Sequence, residues 1–202
     1  NLVLAKLSSA NLSGATLTDA RLTSANLSDA TLTGANLTSA TLTSANLSGA
    51  DLSGATLSGA NLNGANLTGA NLTGARLIDN CTNDTPLVAT LAYAILTGAT
   101  LTSADLSCTN LSGLNLSNVN LSGANLNYAN LTVAILSGAN LTSANLTRAR
   151  LYQANLSNVN LSGADLSGAT LSNAYLSNLQ ASSSTICPNG IYWGTTGNNC
   201  GF

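Results

Sequence analysis

The sequence predicts an all-β solenoid, and three observations carry that prediction. Leucine recurs at every fifth residue from Leu2 to Leu77 and again from Leu91 to Leu176. Alanine recurs three residues after each leucine, unbroken from Ala5 to Ala75. The remaining positions hold Asn, Asp or Thr before the leucine, Ser or Thr after it, and then Gly, Ser or Asp. A period of five is neither the 3.6 of a helix nor the 2 of a simple strand. Each pentad is therefore a unit that stacks on its neighbours.

The positions of the pentad follow from their chemistry. A large and a small apolar residue recurring together both point inward, and alanine permits a close approach that a larger side chain would block. The small polar residues suit turns and short strands on a wetted surface. Burying a leucine contributes roughly 1.5–3 kcal/mol, whereas ordering one residue's backbone costs roughly 1–2 kcal/mol. One leucine in five cannot hold the fold alone, so a continuous backbone ladder and close alanine packing must supply the rest.

Composition narrows the function. Only 6% of the 202 residues are charged and the net charge is −2, so solubility rests on Ser, Thr, Asn and Gly. Phosphate backbones need clustered cations, and the only ones are Lys6, Arg21, Arg76, Arg148 and Arg150, which excludes a nucleic-acid partner. No apolar run approaches the ~20 residues of a membrane helix. Histidine is absent, which removes the commonest general base, and no serine has an evident activating partner. The expectation is a chain that is not an enzyme and carries no cofactor or metal. Asp79 and Asp84, with Asn80 and Asn83, read as a solvated loop rather than a calcium site.

The segments Ala10-Asn11-Leu12-Ser13-Gly14 and Ala50-Asp51-Leu52-Ser53-Gly54 resemble the A(N/D)LXX signature of the pentapeptide-repeat family, and the resemblance covers about Leu2 to Leu179. It implies a right-handed quadrilateral β-helix, one face per pentad and four pentads per coil. About eight to nine coils at strand spacing would then make a square rod about 40 Å long. The family's best-understood activity, inhibition of topoisomerases by DNA mimicry, uses rows of acidic residues. Here there are seven Asp and no Glu, so this role stands only as an alternative. An ice-binding solenoid is a further alternative, weakened because steps of twenty mix Thr with Ser and Asn.

The leucine register breaks once, between Leu77 and Leu91. The organisation expected is one solenoid over 1–179, made of a first block 1–77, a loop insertion 78–90 and a second block 91–179, with a cap over 180–202. Pro86 and Pro188 both fall outside regular repeats, as residues unable to donate to a ladder should. The tail holds Ile191, Tyr192, Trp193 and Phe202, apolar residues suited to covering an open core.

Four cysteines allow three pairings. Cys81–Cys108 would tie the loop to the rod and Cys187–Cys200 would close a loop in the cap, and these are preferred over free thiols. Disulfides imply an oxidising compartment, and the tail resembles the Cys-Pro-(Asp/Asn)-Gly…Cys ending of exported bacterial members. A periplasmic or extracellular location is expected.

Two surfaces rise above the repeat. Ile95, Ile135 and Tyr175 are forty residues apart and fall in one column, with Tyr93 and Val133 in the neighbouring column and Tyr152 close by. Tyr128 lies twenty residues before Arg148, whose guanidinium can cover its ring. This apolar stripe is a candidate partner surface. The amino terminus, Asn1-Leu2-Val3-Leu4, enters the repeat with no visible cap and starts on Asn, as a processed or trimmed chain does. The partner expected is a second copy, joined end to end or through the stripe. The role expected is a structural or interaction scaffold.

Overall fold

A computed structural model describes residues 1–78, 88–194 and 200. Each pentad is a short extended stretch followed by a tight turn. The leucine carbonyl accepts from the amide three residues ahead, as Leu22 O does from Ala25 N–H at 3.0 Å. The third residue of each turn takes a positive φ, between 52° and 72° through both blocks, the sign a type II turn requires. Gly fills fourteen of these positions, and Ser, Asn and Asp fill most of the others, the residues that tolerate this conformation best.

The remaining amides close the rod. The leucine amide donates forward to the next coil, as Leu22 N–H does to Thr41 O at 2.7 Å. The turn amide does the same, Ser24 N–H to Thr43 O at 2.9 Å, and the amide before the leucine donates backward, Thr41 N–H to Ala20 O at 2.8 Å. That leaves the amide after the leucine without a backbone partner. The Asn or Asp before the leucine supplies it: Asn26 Oδ1 accepts from Ser28 N–H at 3.1 Å, and Asp51 Oδ1 from Ser53 N–H at 3.0 Å. The repeat's preference for Asn and Asp is thus a hydrogen-bonding requirement. The same side chains link coils, as in Asn46 Nδ2 to Asn26 Oδ1 at 3.3 Å.

Parallel bridges join residues one coil apart and define four faces. We number the faces by their first leucines, Leu2, Leu7, Leu12 and Leu17. On the second face the column runs through Lys6, Asn26, Asn46, Asn66 and Ile95, and again, after a step without a bridge, through Asn115, Ile135, Asn155 and Tyr175, which makes nine coils among the described residues. Leucine and alanine line the interior from Leu22 to Ala169, nearly all fully buried. The first and last coils are only partly covered: Leu2, Leu7, Leu171 and Leu176 pack on the core without being enclosed.

Between the fourth and fifth coils Asn61 pairs with Thr90, a separation of 29 where an uninterrupted coil takes 20. Ile78 and Val88 pair antiparallel, and Ile78 is buried. Ala89 and Thr90 already belong to the ladder, donating to Leu77 O and Ala60 O, so the ladder resumes within the 78–90 expected as a loop. Cys81 and Pro86 lie outside the described residues.

The solenoid also runs past the Leu179 boundary expected from the repeat. Gln180 pairs with Asn160, and Ile186 with Asp165. Thr185 takes the alanine position and Cys187 the leucine position, both buried. Thr185 Oγ1 donates to Leu161 O at 2.8 Å and accepts from Gly163 N–H at 3.1 Å. Residues 180–187 therefore complete the last coil. Beyond them Ile186 pairs antiparallel with Tyr192, and Trp193 N–H donates to Thr185 O at 2.8 Å. Ile191 and Tyr192, expected over the core, stand about half exposed. Phe202 lies outside the described residues.

Four buried alanine positions of the second block hold larger residues, Thr109, Leu114, Val119 and Val159, and a fifth, Leu179 at the last coil, is only partly covered. The turn hydrogen bonds of the four buried residues are 3.2–3.3 Å, whereas the turns that close on alanine span 2.8–3.1 Å. Bulk at this corner pushes the turn open.

Two outcomes test this account. Leu57 is fully buried, so Leu57→Ala should cost about 2–5 kcal/mol in chemical denaturation; a loss below about 1 kcal/mol would contradict it. Asp51 accepts from Ser53, through its side chain and its backbone, and from Thr33 and Asn71, which together hold its carboxyl below the usual value. A lowered native pKa means stability present above the unfolded-state value, about 3.9, and lost as pH falls through the native one. Acid unfolding curves of Asp51→Asn should lack that share of the loss; curves unchanged from the parent chain would refute the assignment.

Candidate functional site on one edge of the rod

The corner between the first and second faces carries the exposed apolar residues of the stripe. Tyr93 and Val133 occupy positive-φ turn positions there. Ile95, Ile135 and Tyr175 follow the corner on the second face, in one column as their spacing requires. Tyr152 precedes it on the first face, and its carbonyl accepts from Val133 N–H at 2.8 Å. Tyr93 is 89% exposed and Tyr175 66%. Leu4, at 72%, stands in the same corner column in the first coil, with Val3 beside it. The edge therefore begins at the first coil, which the second-block spacing alone does not reveal.

The backbone conformation shared by every turn is unfavourable for the side chains at this corner. A β-branched or bulky residue at positive φ is a genuine outlier, yet Val133 sits at 52° and Tyr93 at 60°. Gly113 and Gly64 fill the same column without strain at 69° and 67°. Strain retained where glycine would serve points to a use for the side chain.

Tyr128 is not part of this edge. It stands on the opposite corner of the first face, in a column with Cys108, Arg148 and Gly168. The Arg148 guanidinium carbon is 5.3 Å from the centre of the Tyr128 ring, and Arg148 also donates to its hydroxyl. The pair is local, worth about 0.5–1 kcal/mol at an exposed site.

A cleft of about 770 Å³ opens on the first face beside the apolar edge. Val88 to Ala94 line one side, and Asn110 with Ser112 to Asn115 the other. Its volume is that of a ligand pocket. The fifth coil lies above it and the sixth, with Thr109, Leu114 and Val119 in the alanine positions, below. Leucine spacing is blind to this feature; the interrupted alanine series was the available signal.

Cys187 and Cys200 form a disulfide across thirteen residues, with Cα atoms 4.9 Å apart. Cys108 is also disulfide-bonded. Cys81, the partner expected for it, lies outside the described residues, as do Asp79, Asn80, Asn83 and Asp84. Among the described residues no helix is long and apolar enough to cross a membrane, and no group of three or more His, Cys, Asp or Glu is placed to hold a metal ion.

The sequence profile described as Pentapeptide repeats matches the chain in eight copies, over residues 1–38, 35–74, 89–123, 115–151 and 144–178. No curated protein sequence matches it. Among solved structures the chain is similar to HetL, a pentapeptide repeat protein involved in heterocyst differentiation regulation from the cyanobacterium Nostoc sp. strain PCC 7120. They share 36% identity and a TM-score of 0.70, over 93% of this chain and 76% of HetL. It also matches Rfr23 from the cyanobacterium Cyanothece 51142, at 33% identity and TM-score 0.38, over 62% of this chain and 89% of that one. Full-length QnrB1, a plasmid-mediated fluoroquinolone resistance protein, matches at 18% identity and TM-score 0.31, over 80% and 79% of the two chains.

Replacing Val133 by Asn, which tolerates positive φ, should stabilise the rod by about 1 kcal/mol in thermal unfolding. A destabilised variant would mean that Val133 is held by packing rather than strained.

Proposed function

The chain belongs to the pentapeptide-repeat family, and from that premise we propose that it is a non-catalytic scaffold that self-associates through the edge carrying Tyr93, Ile95, Val133, Ile135, Tyr152 and Tyr175. The observation that carries this reading is the coincidence of exposure and strain. Large apolar side chains recur on one corner, three of them, Leu4, Tyr93 and Val133, in a backbone conformation that disfavours them. A second copy is the partner we favour, because a straight edge repeating every two coils can meet the same edge of an antiparallel copy, residue for residue. The likeness to HetL, a protein of differentiation regulation, supports a role in binding rather than catalysis. Seven scattered Asp and no Glu weigh against the DNA-mimicking alternative. Columns that mix Thr with Ser and Asn weigh against ice binding.

The reading extends to an oxidising location, periplasmic or extracellular, supported by the Cys187–Cys200 disulfide. Purified without reductant, the protein should show no reactive thiols after unfolding; four reactive thiols would overturn the location.

Combined Ile95→Ser, Ile135→Ser and Tyr175→Ser should leave the melting temperature within a few degrees and abolish concentration-dependent association in sedimentation. A parent chain that stays monomeric at high concentration would refute the proposal. A variant that still associates would move the contact to the rod ends.

A further inference from the structure

The cleft is a break in the backbone ladder, and the break has a regular hydrogen-bonding pattern. Everywhere in the first four coils a leucine amide reaches the next coil. Between the fifth and sixth coils it does not. The amides of Leu91, Tyr93, Leu96 and Gly98 on one side, and of Asn110 and Asn115 on the other, have no partner among the described residues. Their equivalents elsewhere donate at 2.7–3.2 Å. The carbonyls that would have received them are left facing the gap. Contact resumes on the third face, where Leu101 N–H donates to Asn120 O at 2.7 Å.

Bulk at the inner corners causes the break. Thr109, Leu114 and Val119 occupy three successive alanine positions of the sixth coil. Below them the ladder is intact, with Leu111 N–H to Asn130 O and Leu116 N–H to Ile135 O at 2.8 and 2.7 Å. Val159, a single replacement, supplies the control. Its coil keeps contact, and Asn160 N–H still reaches Ala139 O at 3.2 Å. One bulky corner stretches the ladder, and three in a row part it. The opening reaches the core, since Ala94 and Leu114 are 7% and 5% exposed where most of the interior is sealed.

We propose that this break is a binding site for an extended peptide segment of a partner protein, which enters as an additional strand between the fifth and sixth coils. Parted strand edges present donors and acceptors in the spacing only another extended backbone reproduces, and strand addition draws its affinity from those main-chain hydrogen bonds. The residues that pinch the cleft fix the side-chain chemistry. Ala89, Ala94, Leu91 and Leu114 ask for small or apolar residues facing inward, and Tyr93 offers an apolar contact at the mouth. The site shares Tyr93 with the outer edge, but its main-chain donors lie in the cleft and not on the self-associating corner.

The test uses the full chain and a ten-residue peptide copying residues 60–69, the two pentads that occupy these faces one coil earlier. Without peptide, the amides of Leu91, Leu96 and Asn115 should exchange with deuterium far faster than that of Leu101. Peptide at about ten times its Kd should slow them about tenfold. The same peptide N-methylated at alternate amides should not bind. The variant Thr109→Ala, Leu114→Ala, Val119→Ala should protect these amides unaided and bind no peptide. Amides already protected in the parent chain would overturn the proposal. So would no binding up to about 1 mM, equal binding by the N-methylated peptide, or equal binding by the triple variant.

Discussion

The rod depends on a small residue at each inner corner. Alanine there lets successive coils approach to hydrogen-bonding distance, and the ladder then satisfies the leucine amide, the turn amide and the amide before the leucine. The chain contributes few charges and little aromatic surface, so these bonds and the sealed leucine column hold it together. Where the corner carries alanine, the turn closes at 2.8–3.1 Å; where it carries Thr, Leu or Val, the turn lengthens. The same constraint thus explains both the regularity of the first four coils and the opening after the fifth.

Against this background the irregular features gather in one region. The insertion joins the ladder at Ile78 and Val88, the cleft begins at Val88, and Tyr93 and Ile95 follow on the exposed corner. Cys108, in its disulfide, lines the cleft as well. A repeat protein has no need of such departures for folding, because each coil is stabilised by its immediate neighbours. Their concentration around the fifth and sixth coils marks the part of the rod shaped by something other than stacking.

Much of the architecture was legible in the sequence because one residue type reports each structural demand. Leucine marks the interior, alanine the corner, Asn or Asp the amide cap, and the forty-residue spacing of Ile95, Ile135 and Tyr175 their shared column. The end of the solenoid was not legible. Thr185 and Cys187 fill the alanine and leucine positions with different chemistry, and the pairing of Asp165 with Ile186 takes one residue more than a coil. Leu4 is not legible as part of the stripe because its column continues with Ser24, Ser44 and Gly64, none of them apolar and large. By spacing Tyr128 reads as part of the stripe, although its turn belongs to the fourth face. The cleft escaped because a break in spacing draws notice, whereas Thr109, Leu114 and Val119 leave the spacing untouched and change only volume.

The central claim, that corner volume governs coil contact, is open to a transplant. Ala40→Thr, Ala45→Leu and Ala50→Val place the same three residues on the same three faces of an intact coil. The account predicts fast amide exchange at Leu22, Leu27 and Asn46, whose bonds to Thr41 O, Asn46 O and Ala25 O are now 2.7–2.9 Å. A folded variant in which these three amides stay as protected as in the parent chain would contradict it.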